Sequence, residues 1–197
     1  MRLVIINSGG ANIASLKFAF ERLDCTPELS ADPRTVRAAT HVVLPGVGAA
    51  ADAMARLNRH GLAKVIPALT QPVLGICLGM QLLFERSDEG GTDCLGALAG
   101  RATRLSVSSG RPVPHMGWNQ LAIERPSALL DQVQSGEYTY FVHSYAVPVI
   151  PATVASCDYG RQFSAVVEHR NFFGTQFHPE RSAATGARIL ANFLRLG

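Results

Sequence analysis

Lysine is nearly missing from this sequence, which has only Lys17 and Lys64. Its other basic residues are arginines scattered without a run, and the formal net charge is +3. No basic stripe is available to neutralise a phosphate backbone, so nucleic-acid binding gets no support. Long apolar runs are missing too. Eighteen consecutive apolar residues, the rough minimum for a membrane-spanning helix, occur nowhere. The opening from Met1 to Ile6 holds too short an apolar stretch for a secretory signal, so the expected location is the cytoplasm. Cysteine is sparse and dispersed: Cys25, Cys77, Cys94 and Cys157 form no Cys-x-x-Cys pair and have no histidine at metal-ligand spacing. Neither a disulfide framework nor structural zinc is expected from that pattern. With no linker, repeat or low-complexity tract, the simplest organisation is one domain over residues 1–197.

What is present is ordinary globular material, 47% apolar and 17% charged. A chain of this size buries roughly 70% of its unfolded surface, enough for a core without staples. Short apolar runs alternate with segments of helical period: Leu3 to Asn7 then Ala14 to Leu23, His41 to Leu44 then Ala49 to Leu57, Val73 to Cys77 then Met80 to Phe84. That βαβα order predicts an α/β fold, a mostly parallel sheet flanked by helices. From about Gly100 the texture turns β-rich, with segments at Gln120 to Glu124, Tyr138 to Tyr145, Thr153 to Cys157, Ser164 to Glu168 and Phe172 to Phe177. These read as antiparallel strands added to the core sheet. The spacing of Ile189, Leu190, Phe193 and Leu194 predicts a closing amphipathic helix over Gly186 to Leu196.

Chemistry concentrates first in Val73-Leu74-Gly75-Ile76-Cys77-Leu78-Gly79-Met80-Gln81. An apolar strand runs into a cysteine with a glycine two residues to either side, and a helical pattern follows at once. This is the pattern of a nucleophile elbow, a sharp turn that pushes its central side chain out of the sheet while the glycines leave room for close neighbours. A helix start behind the sulfur also favours thiolate over thiol. Standing alone, the same string could be a strand-helix junction with an inert cysteine.

A second constellation is Gly174-Thr175-Gln176-Phe177-His178-Pro179-Glu180. An extended spacing of two would put the imidazole and the carboxylate on the same side of a strand end. A thiol needs a base, and the base needs a partner to fix its tautomer, so His178 and Glu180 fill those roles if the strand ends beside Cys77. Open α/β sheets gather their active sites at strand carboxyl ends, where both motifs would lie. A third strand end, Leu44-Pro45-Gly46-Val47-Gly48, could turn the backbone N–H of Val47 toward a developing oxyanion beside that of Leu78.

Together, Gly75 to Gln81, Phe177 to Glu180 about a hundred residues later and Pro45 to Gly48 resemble the class I (triad) glutamine amidotransferases, in order and spacing over nearly the whole chain. Four further strings resemble the branch of that family that serves histidine biosynthesis: Asn7-Ser8-Gly9-Gly10-Ala11-Asn12, Pro114-His115-Met116-Gly117-Trp118-Asn119, Tyr140-Phe141-Val142-His143-Ser144-Tyr145, and Phe177 to Ser182. The resemblance implies the class I amidotransferase (flavodoxin-like) fold, with Cys77, His178 and Glu180 as the triad and the N–H groups of Val47 and Leu78 as oxyanion donors. It also implies a glutamine site near Gly48, Gln81, Ser144 and Tyr145, with no metal or organic cofactor. Ammonia set free in water is lost to protonation, so a partner is expected. By resemblance it is a separate (β/α)₈-barrel cyclase subunit, forming a heterodimer with this chain. Trp118 and Asn119 are the expected contacts, although Trp118 could equally pack in the core. A glutaminase serving another acceptor, a peptidase-like hydrolase using Cys77 and a silent partner-binding module stay open as alternatives.

Overall fold

The computed structural model describes every residue except 8, 10–12, 108 and 109. Of the opening string Asn7 to Asn12, Ser8, Gly10, Ala11 and Asn12 therefore lie outside the described residues. The first half is built of β1 (Leu3–Ile6), α1 (Ile13–Glu21), β2 (Glu28–Ser30), α2 (Pro33–Arg37), β3 (His41–Gly46), α3 (Ala50–Arg59), β4 (Val73–Cys77) and α4 (Leu78–Leu82). After it come β5 (Phe84–Ser87), β6 (Thr92–Asp93), β7 (Leu98–Arg104), β8 (His115–Gln120), β9 (Ala122–Ile123), β10 (Tyr138–His143) and β11 (Tyr145–Ala146). The chain closes with β12 (Thr153–Asp158), β13 (Gln162–His169), β14 (Phe172–Thr175) and α5 (Ala183–Phe193).

Eight strands form one sheet in the order β2-β1-β3-β4-β14-β13-β12-β9. Its first five strands run parallel, and β13, β12 and β9 continue it in antiparallel pairs. Successive residues of β1 point to opposite faces, so Leu3 and Ile5 enter one core while Val4 and Ile6 enter the other. On the first face Phe20 of α1 and Ile189, Leu190 and Phe193 of α5 cover the sheet. On the second, Ala50, Ala53, Met54 and Leu57 of α3 do so. Each fully buried Leu, Ile or Phe contributes about 1.5–3 kcal/mol, which is why these runs are apolar on both sides. Among the described residues no helix is long and apolar enough to cross a membrane.

The structure corrects three sequence expectations. β14 is not a purely antiparallel addition, since it lies parallel to β4 and antiparallel to β13. With β14 flanked on both sides, the strand at Tyr138 cannot join it; β10 instead pairs with β8 as a separate two-stranded ribbon. The chain breaks at Ser144, and Tyr145 moves into a further sheet, β11-β7-β5-β6. Finally, the helix expected over Met80 to Phe84 begins earlier, at Leu78, and Phe84 already opens β5. The short β2 and α2 went unpredicted, although Asp32, whose carboxylate accepts from the Thr35 N–H, and Pro33 at the next position are a legible helix start.

Candidate active site

β4 ends at Cys77, and α4 begins at the next residue. The reversal requires a backbone of φ 54° and ψ −114° at Cys77, a conformation that costs a non-glycine residue about 1–3 kcal/mol and persists only where its surroundings enforce it. Here close packing enforces it. A Cβ on Gly75 would lie 2.7 Å from Met80 Cα, and one on Gly46 would lie 2.5 Å from the Gly79 nitrogen. A Cβ on Gly79 would overlap the Leu44 carbonyl oxygen. The two expected glycines of the elbow, and a third on the neighbouring strand, are thus needed because backbone meets backbone there. The side chain of Cys77 is tucked in rather than fully displayed, with 7% of the residue exposed. Its thiol donates weakly to the Val142 carbonyl at 3.7 Å, and the buried Gln176 amide approaches the sulfur at 3.9 Å.

His178 and Glu180 come together, but not by strand alternation. β14 stops at Thr175; His178 is extended, with φ −93° and ψ 99°, and Glu180 lies in the 3-10 turn Pro179–Arg181. The turn brings Nδ1 of His178 to 2.8 Å from Glu180 Oε1. The β8–β10 ribbon anchors this turn. The His178 N–H donates to the Tyr140 carbonyl, the Ser182 hydroxyl donates to the His178 carbonyl, and the Tyr140 N–H donates to the Ser182 hydroxyl. Burial by itself lowers the pKa of His178, but the Cys77 sulfur and then the Glu180 carboxylate outweigh it and push the pKa up to about 10. With Nδ1 held by the carboxylate, Nε2 is the atom left for proton transfer.

A cleft of about 310 Å³ joins these elements. Val47, Gly48, Cys77, Leu78, Gln81, Ser144, Tyr145 and His178, all singled out by sequence, line it. Val47 follows Gly46, which is opposite Cys77 in the β3–β4 pairing. Gln81 spends both amide hydrogens inside the protein, on the Tyr145 carbonyl at 2.8 Å and on Gln176 Oε1 at 3.0 Å, so its oxygen is what it offers the cleft. Glu89 also lines the cleft, and sequence reasoning missed it. It sits in a polar turn without a motif, and one carboxylate oxygen accepts from the Ala50 N–H that starts α3. No local pattern announces a contact made by two segments so far apart in the chain.

A second cavity of about 350 Å³ lies behind the imidazole, where His178, Glu180, Arg181, Leu16, Pro45 and Val142 are among its lining residues. Outside the cleft, Trp118 is 52% exposed and therefore not a core residue. Its ring meets that of Tyr140 edge-on at 5.9 Å, and the Arg181 guanidinium lies 4.9 Å above the same tyrosine. Strand alternation puts Asn119 on the other side of β8. There its side-chain amide donates to the Asp158 carbonyl and its oxygen accepts from the Gln120 N–H.

Comparison with known proteins fits this geometry. The family profile described as "Glutamine amidotransferase class-I" matches residues 4–196. The chain is 53% identical over 194 residues to the "Imidazole glycerol phosphate synthase subunit HisH" of Xylella fastidiosa strain Temecula1, covering 98% of this chain and 97% of that protein. It is 52% identical, with the same coverage, to the protein of that name from Xanthomonas campestris pv. campestris. Two solved structures share the fold at low identity. One is a glutamine amidotransferase with TM-score 0.77 and 16% identity, covering 99% of this chain and 98% of that one. The other, a glutamine amidotransferase from Thermotoga maritima, has TM-score 0.67 and 18% identity, covering 99% and 83%.

Proposed function

Because the chain belongs to the class-I glutamine amidotransferase family, we propose that it is the glutaminase subunit of an imidazole glycerol phosphate synthase, a single catalytic domain that frees ammonia from glutamine. The observation that carries this reading is the junction of a strained elbow cysteine with a carboxylate-held histidine in one cleft.

In the proposed reaction the Cys77 thiolate attacks the side-chain amide carbon of glutamine while His178 gives the leaving nitrogen a proton from Nε2. Ammonia departs and a glutamyl thioester remains. Water activated by His178 then releases glutamate, and Glu180 keeps the imidazole in one tautomer throughout. The backbone N–H groups of Val47 and Leu78 hold the oxyanion in both steps, an effect worth about 3–4 kcal/mol per donor. Gly48, Gln81, Ser144 and Tyr145 form the substrate cradle, with backbone around Ser144 meeting the α-carboxylate. Glu89 adds the negative charge that an α-ammonium requires.

We assign the acceptor role to a HisF-type (β/α)₈-barrel cyclase, which uses the ammonia to form imidazole glycerol phosphate and aminoimidazole carboxamide ribotide in histidine biosynthesis. The face formed by exposed Trp118 and Arg181 around half-buried Tyr140 supports this heterodimer, because it combines an aromatic anchor with an arginine beside the second cavity. Asn119 braces that surface from beneath. The decisive experiment measures glutamate release by the purified chain, alone and with the cyclase and its ligand. Glutaminase activity stimulated by the loaded cyclase is expected. No glutamate under any of these conditions overturns the reading.

A further inference from the structure

His143 lines the cleft, yet the proposed reaction gives it no task. Its Nδ1 lies 2.9 Å from the Tyr145 carbonyl oxygen and its Nε2 lies 3.0 Å from Nδ1 of His115, which does not line the cleft. A carbonyl only accepts, so Nδ1 of His143 carries a hydrogen. In a neutral ring Nε2 is then an acceptor, and His115 must donate from its own Nδ1. That leaves Nε2 of His115 as an acceptor, where the Asn119 amide nitrogen approaches at 3.4 Å. The orientation of Asn119 is settled independently, because its nitrogen donates to the Asp158 carbonyl and its oxygen accepts from the Gln120 N–H. Every donor in the row has one direction.

The row does not stop at the histidines. The Tyr145 carbonyl also accepts from the Gln81 amide, whose second hydrogen goes to Gln176, and the Gln176 amide reaches toward the Cys77 sulfur. His115 is 3% exposed and stacks between Tyr159, at 3.9 Å and 23°, and Phe141, at 4.9 Å and 21°. Neither ring has a carboxylate among its hydrogen-bond partners. We propose that His115 and His143 form a neutral pair, each ring protonated on Nδ1, that positions the Tyr145 carbonyl and through it Gln81 for glutamine. His115, remote from the substrate, is a positioning residue; this assignment rests on the reading of the cleft as a glutamine site. Burial holds both rings neutral, with the pKa of His115 lowered to about 4 and that of His143 to about 3, the latter opposed by the Tyr145 hydrogen bond and reinforced by the charges of His115 and His178.

Nitrogen-15 NMR of the labelled full chain, combined with two variants, tests the proposal. In the wild type both rings are expected to show a protonated Nδ1 and a bare Nε2, unchanged down to about pH 5. His115→Phe keeps the aromatic stack but removes the donor. In the cyclase complex it is expected to raise the KM for glutamine about tenfold, with kcat changing less than about threefold, as loss of one buried hydrogen bond used in binding does. His115→Asn places an amide N–H where Nδ1 was and should bring KM back to within about threefold of wild type. A protonated Nε2 on either ring, protonation of either near pH 6.5, or an unchanged KM in a folded His115→Phe overturns the assignment. Should His115→Phe fail to fold, the wild-type tautomers and the His115→Asn kinetics decide. A wild-type protein with these tautomers but no glutaminase activity would instead sink the functional reading.

Discussion

Two histidines line the same cleft from different elements, and their surroundings drive them to opposite charge states. His178, in the turn after β14, has a carboxylate on one nitrogen and the Cys77 sulfur beside the ring, and its pKa rises to about 10. His143, at the end of β10, has a carbonyl on one nitrogen and a second imidazole on the other, and its pKa falls to about 3. Both are more than nine-tenths inaccessible, at 9% and 6% exposure, so burial alone does not separate them. Partner chemistry does: an anion keeps a buried imidazole charged, whereas dipoles leave burial to neutralise it. The charged ring suits proton transfer and the neutral one suits holding a backbone in place.

The largest test of that contrast removes the sulfur. Cys77→Ala is expected to lower glutamine turnover by roughly 10⁴-fold or more while synthesis from added ammonium salt survives in the complex. It should also lower the pKa of His178, since the sulfur is one of the groups that raise it; an NMR titration showing no change would break the account of the charged ring. His178→Asn is expected to cost about as much turnover, and Glu180→Gln about a hundredfold less than that, because an amide still orients the imidazole. Equal, mild losses in steady-state assays would remove both residues from the reaction.

A smaller effect concerns the packing that sets the turn at Cys77. Gly79→Ala forces a methyl into the Leu44 carbonyl and should cost about 3 kcal/mol or more, lowering Tm by roughly 6–12 °C for a chain of this size. A melting curve within about 2 °C of wild type would show that the elbow has slack.

Stability against pH distinguishes the two histidine environments directly. The folded-state pKa of His178 is raised from 6.5 to about 10, so its contribution is complete below about pH 6.5 and is lost as pH climbs through about 10. His143 and His115 are shifted the other way, so their contributions are present above about pH 6.5 and fade as pH falls toward about 4 and then about 3. The gap in urea midpoint between Cys77→Ala and wild type should therefore close as pH climbs through about 10, and the wild-type midpoint should fall more steeply than that of His115→Phe as pH drops toward about 4. The smallest effect is reserved for the outer face, where Trp118→Ala should weaken cyclase binding about tenfold by calorimetry and leave the slow basal rate unchanged.

Much of the setting of Cys77 was legible in one short string. Gly75, Cys77 and Gly79 encode the elbow because its constraints are steric and act between residues close in sequence or on the adjacent strand; β4 ends at Cys77, as its apolar run predicted. The alternation of apolar strands with helical patterns likewise conveyed the parallel half, since strands with both faces buried have little freedom to be polar. The β-rich half was legible only as strands. Its division into a ribbon and a second sheet depends on which edges are already occupied, and no local period records that.

The same division runs through the site. Residue order and type marked Cys77, His178 and Glu180 as candidates for one chemistry, because a thiol, a base and a carboxylate have complementary proton affinities wherever they meet. How they meet was decided by packing: Glu180 reaches His178 through a turn that β10 anchors, not through strand alternation. Glu89, 39 residues from the helix start it caps, and His115, 28 residues from His143, became visible only when the fold closed. A hydrogen bond across such a separation leaves no period or spacing in the chain, because its geometry is fixed by the strands and helices that carry the two ends rather than by the residues between them.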